Sequence, residues 1–106
     1  MIDNVLTLFQ NSKYQDKYGA WQTESIPREV FCQVSSVSQT EFFSGGRNGL
    51  NPSYKFTVFQ GDYEDEVLCK YEGKGYAIYR TYIVPGTDYI ELYAERQGGA
   101  NGKSDA

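Results

Sequence analysis

The last third of the chain constrains its fold most. "VLCKYEGKGYAIYRTYIVPGTDYIELYAER" (67–96) contains three runs of β-branched and aromatic residues, divided by two tight-turn signals, "EGKG" and "PGTD". Glycine at such points supplies the positive φ that short hairpins need. The arrangement predicts antiparallel strands at 67–71, 76–84 and 89–96. Ile90, Leu92 and Ala94 point inward on the last of these, because strand side chains alternate with a period of two.

The same alternation appears earlier. In "REVFCQVSSV" (28–37), Val30, Cys32 and Val34 share one face, with Phe31, Gln33 and Ser35 opposite. "YKFTVFQ" (54–60) places Tyr54, Phe56 and Val58 against Lys55, Thr57 and Phe59. "NVLTLFQ" (4–10) reads as a first strand. A turn-rich stretch, "NSKYQDKYG", follows it. "AWQTES" (20–25) is then the returning arm of a hairpin, with Pro27 ending it or beginning the next segment. Before the C-terminal tail there are only three alanines, so good helix formers are scarce. The expected fold is all-β: a small barrel or sandwich of six to seven mostly antiparallel strands in one domain, 1–96. The Gly-rich, polar stretch 97–106 is expected to be a flexible tail.

One segment breaks the strand pattern. "SQTEFFSGGRNGLNPS" (38–53) opens with Ser38 and has Glu41 three positions on, the spacing of a capping box for one or two helical turns. Gly45, Gly46 and Gly49 argue against a long helix. The expectation is a long loop, with a short helix or turn leading into a flexible stretch. Loops of this length in a compact domain are often functional.

Most chemistry is poorly provided for. The chain has no histidine, which removes Ser–His and Cys–His nucleophiles and the usual zinc sites. The acidic run Asp62, Glu64, Asp65, Glu66 lacks EF-hand spacing and reads as a solvated turn. Glu91 and Glu95 fall on the outward face of the last strand, as ordinary solvent-face patterning. "SGGRNG" (44–49) resembles a phosphate loop only loosely, since no Lys-Ser/Thr follows. No metal site, cofactor or enzymatic activity is expected. The net charge of −4 argues against a general nucleic-acid binder, although Tyr76, Tyr79, Tyr82, Tyr89 and Tyr93 on strands leave an OB- or SH3-like module as an alternative. "MIDNVLTLFQ" lacks the layout of a signal peptide, so Cys32 and Cys69 are expected to be buried free thiols in a cytoplasmic setting. No apolar run is long enough for a membrane helix.

The order of these parts resembles a known family. The carrying features are the hairpin "DKYGAW" (16–21), the strand "VFCQVSSV" with Glu41 beyond it, the aromatic and glycine-bearing "TEFFSGGRNG", and "GKGYAI" (73–78). Their order and spacing over residues 4–96 are similar to the small head–tail joining, or head closure ("stopper"), proteins of tailed bacteriophages. The start "MIDN" and the Pro85–Gly86 turn depart from the family's pattern.

The resemblance implies a structural virion protein and not an enzyme. It implies a homo-oligomeric ring of six or twelve copies under the portal and head–tail adaptor, facing a tail terminator or tail tube protein. Viral DNA would pass through without sequence-specific binding. The implied location is the head–tail interface of the virion, and the host cytoplasm during assembly. A channel-gating loop is implied at Thr40, Glu41, Phe42, Phe43, Ser44, Gly45, Gly46, Arg47, Asn48 and Gly49. Asp16, Tyr18, Gly19 and Trp21 would form a hairpin and interface element. Trp21 is expected to pack in the core of its own chain, or else over the barrel's edge or into a neighbouring subunit. A tail-completion or other minor virion protein with a similar barrel is the alternative.

Overall fold

A computed structural model describes residues 4–47 and 49–97. Six strands, β1 (Asn4–Gln15), β2 (Trp21–Ser36), β3 (Pro52–Phe59), β4 (Leu68–Tyr71), β5 (Lys74–Ile83) and β6 (Tyr89–Arg96), close an antiparallel barrel in the order β1-β2-β3-β6-β5-β4. A helix, α1 (Gln39–Arg47), joins β2 to β3, and a 3₁₀ turn, Gln60–Asp62, follows β3. The all-β expectation holds, with six strands.

The core follows the alternation read from the sequence. Leu6 and Leu8 of β1, Val30 and Cys32 of β2, and Phe56 and Val58 of β3 are buried. They meet Cys69, Tyr76, Ile78, Ile90, Leu92 and Ala94. Tyr54, Phe56, Tyr71 and Tyr76 pack with ring centroids 5.4–5.9 Å apart, edge-on except for the tilted Tyr54–Phe56 pair, geometry that aromatic quadrupoles favour. Cys32 and Cys69 are buried free thiols, and burial raises their pKa values to about 11 and about 12.

The turns behave as their residues require. Glu72 and Gly73 both have positive φ (51° and 79°), giving a two-residue hairpin turn closed by the Tyr71–Lys74 pair. Gly86 has φ 76° in the Pro85–Gly86 turn.

Three sequence expectations are corrected. β1 does not stop at Gln10 but runs to Gln15, and β2 starts at Trp21 and continues through Pro27 to Ser36. Pro27 is tolerated because β2 gains its second neighbour, β3, only from Gln33 onward. The run 61–66 is not simply a solvated turn: Glu66 is only 4% exposed. Its carboxylate accepts a 2.5 Å bond from Arg28 and a 2.8 Å bond from the Glu64 N–H. Leu8, the partner of Arg28 in the ladder, is in the core, so this ion pair plugs the end of the barrel. Of the tail expected at 97–106, all but Gln97 lies outside the described residues.

Candidate functional site

The residues singled out in the sequence fall into two groups, placed at opposite ends of β2. Strand residues rise about 3.3 Å each, so the sixteen residues of β2 separate the groups by up to about 50 Å. The long axis of the molecule is 51 Å. The structure does not bring the two groups together.

The first group is on α1. Ser38 caps it, its hydroxyl accepting the Glu41 N–H at 3.1 Å, and Phe42 N–H donates to the Ser38 carbonyl. At the other end Gly49 N–H donates to Gly46 O and Leu50 N–H to Gly45 O, with Gly49 at φ 79°. This pair of bonds is a Schellman motif, in which glycine takes the left-handed position. The helix therefore runs through Gly45 and Gly46. Arg47 lies in its last turn, where a cation suits the helix dipole.

Glu41 fastens α1 to the barrel. Tyr79 Oη donates to its Oε2 at 2.6 Å, and Arg80 donates to both oxygens, at 2.5 Å from Nη2 and 3.2 Å from Nε. A register shift between Ile78 and Arg80 makes this possible. Such a bulge turns successive side chains away from their alternating course, here placing Tyr79 and Arg80 together against the helix. The Arg80 guanidinium also lies 3.7 Å from the centroid of the Tyr93 ring. Tyr93 Oη donates to Glu91, which is 3.5 Å from Lys55 Nζ. The Arg80 hydrogen bonds hold the Glu41 carboxyl below its ordinary value, with Tyr79 adding to the effect. Burial and the bond to Glu41 push the Tyr79 phenol up.

Gly45 completes the attachment. It is buried, and a Cβ there would lie 2.4 Å from Pro52 Cγ. The short helix expected within 38–53 is present as Gln39–Arg47, capped and latched, and it continues through Gly45 and Gly46, where a loop was expected. Phe42 and Phe43 stay exposed (47% and 57%) as an edge-on pair on its outer side. Thr40, Ser44 and Gly46 are exposed, and Asn48 lies outside the described residues.

The second group is the hairpin tip. β1 pairs with β4 only at Thr7–Phe9, yet its ladder with β2 continues to Gln15–Trp21. Residues 10–26 therefore form a two-stranded arm without neighbours on either edge. Asp16 organises its turn. The carboxylate accepts bonds from Tyr18 N–H (2.9 Å), Ala20 N–H (3.0 Å) and Gln22 Nε2 (3.2 Å), and Gly19 has φ 83°. The backbone donors at Ala20 and Tyr18 lower the Asp16 pKa. Trp21 is 68% exposed and Tyr18 is 81% exposed. Core packing of Trp21 is thereby corrected: the arm extends beyond the barrel, and no core lies beneath it.

Among the described residues, no three His, Cys, Asp or Glu side chains are grouped as a metal ion would need. No described helix is long and apolar enough to cross a membrane. Both ends of the molecule carry large aromatic side chains that face solvent. Arg80 carries no signal in the sequence that ties it to α1, and Tyr79 reads there only as one of several strand tyrosines. The bulge has no sequence signature, but Gly49 followed by Leu50 is a recognisable helix-stop signal. No protein-family model and no curated protein sequence matches the chain.

Proposed function

We propose that this protein is a head closure, or head–tail connector, component of a tailed bacteriophage, and that it acts by assembly and not by catalysis. The observation that carries this reading is the sequence of elements, a long first hairpin, a crossover bearing a helix, and a closing antiparallel meander, on a barrel whose two ends display large aromatic side chains. Large aromatic residues are enriched among the anchors of protein interfaces. In this reading copies of the chain form a ring. One end of the ring meets the portal and its adaptor, and the other meets a tail terminator or tail tube protein. The net charge of −4 suits a surface past which DNA slides without adhering.

The segment 38–53 is the proposed channel element. Because α1 is latched through Glu41 and Gly45, gating would move the helix as one body and would not reshape a loose loop. Electron microscopy of capsids from a phage lacking this gene tests the reading. The expected result is particles that have lost their DNA and carry no tails. Particles with normal DNA retention and normal tails would overturn it.

A further inference from the structure

We propose that the β1–β2 arm is the contact by which one copy of this chain holds the next, and that it seats head-to-tail in the cleft at the base of the neighbouring copy's arm. This deepens the ring reading above and rests on it.

The arm is built to be covered. Residues 10–26 have open strand edges on both sides, and two-stranded ribbons are marginal without further packing. Nonetheless the tip is ordered by the three bonds to Asp16. It presents Tyr18, Trp21 and Tyr14, which is 47% exposed. Lys13 and Lys17 flank these rings, and Lys17 Nζ lies 5.2 Å from the Tyr18 centroid. A preorganised tip bearing rings and cations loses little freedom on docking.

The complement is on the same chain. A cleft of about 270 Å³ at the arm's root is lined by Phe9, Gln10, Asn11, Glu64, Asp65, Glu66 and Val67. Its outer wall is acidic at Asp65 and at Glu64, whose Oε1 accepts a 3.0 Å bond from Gln10 Nε2. Its apolar lip is Val67, 57% exposed, continued by Leu68 at 39%. The Asp16 carboxylate is engaged within its own turn, so the tip offers rings flanked by the Lys13 and Lys17 ammonium groups, and these match carboxylates beside apolar side chains on the cleft.

The arm cannot fill its own cleft. The tip stands about six residues beyond Phe9, ~20 Å along a continuous ladder that holds it away. The cleft is therefore open to the tip of another copy. A contact between two different patches of the same chain is heterologous, and repetition closes it into a ring when the rotation allows.

The test uses the full chain at rising concentration, with sedimentation to read assembly and a flexible bis-maleimide to read contacts. The native thiols Cys32 and Cys69 are buried. Two single variants, Lys17→Cys and Glu64→Cys, place one accessible thiol on the tip and one on the cleft. The mixture of the two should cross-link to dimers, and neither variant alone should do so. Lys13→Glu with Lys17→Glu should weaken self-association at least tenfold, and Glu64→Lys with Asp65→Lys in the partner copy should restore it. Assembly without mixed cross-links, or tip-to-tip cross-links in Lys17→Cys alone, would overturn the arm contact and leave the ring reading standing. A chain that stays monomeric at every concentration would also overturn it, while the capsid experiment would still decide the ring reading.

Discussion

The helix α1 and the β1–β2 arm reverse the roles that their compositions suggest. The Gly-rich segment contains three glycines within five residues yet is capped at both ends, latched by Glu41 and pressed against Pro52. The arm is made of ordinary strand residues, yet it leaves the barrel and exposes its only tryptophan. The difference teaches that fixity comes from tertiary partners and not from local composition. A glycine at a close approach or in a helix stop fixes a segment, whereas a strand beyond its sheet has only its hairpin partner to hold it.

Substitutions can break this contrast, beginning where the arm is rooted. Glu66→Ala removes the partner of Arg28, whose Nε is already buried without a hydrogen bond, and leaves a charge at the barrel's end. The expected cost is about 3 kcal/mol, at the low end for buried ion pairs because Arg28 is partly exposed. Denaturant unfolding measures it, and a loss below about 1 kcal/mol would mean that the plug contributes little.

At the other end of β2, Gly45→Ala places a methyl group against Pro52. Relief requires α1 to shift, and overpacking of this kind costs about 2 kcal/mol. Stability close to that of the unmodified chain would show that the helix is not held where the contact places it.

Glu41→Gln keeps the shape of the latch and removes its charge. It should cost about 1–2 kcal/mol at neutral pH, in the range of charge-assisted hydrogen bonds. The Glu41 carboxyl is depressed below 4.5 by Arg80 and Tyr79. Its contribution is therefore complete above about pH 4.5 and is lost as pH falls through the lower, folded-state value. The gap between the two proteins should close over that acid range. A gap unchanged down to pH 2 would assign the effect to shape and not to charge.

The smallest effect belongs to the arm. Trp21→Ala should change the stability of the monomer by no more than about 0.5 kcal/mol, since the ring has no core to leave. A loss of 2 kcal/mol or more would mean that the ring packs on its own chain.

The same contrast separates what could be read from the sequence from what could not. The strands from Val67 onward were legible because period-two alternation and turn glycines agree there, and the buried set Ile90, Leu92 and Ala94 follows directly. The Ser38 cap was legible for the same local reason. The latch was not. Glu41 and Arg80 are 39 positions apart, and only the closed barrel and the bulge at Tyr79 bring them together. The arm was illegible for the opposite reason. Residues 11–25 bury no apolar face, so they carry no hydrophobic period, and pairing between β1 and β2 alone makes them strands. Gly49 followed by Leu50 is the one local signal of where the helix stops.

Amide hydrogen exchange on the dilute monomer tests the contrast between latched helix and projecting arm most directly. The account predicts slow exchange for the α1 amides from Phe42 to Arg47 and for those of Gly49 and Leu50, with faster exchange across 11–25, where the ribbon opens without disturbing the core. Exchange that is fast through α1 and slow through the arm would contradict it.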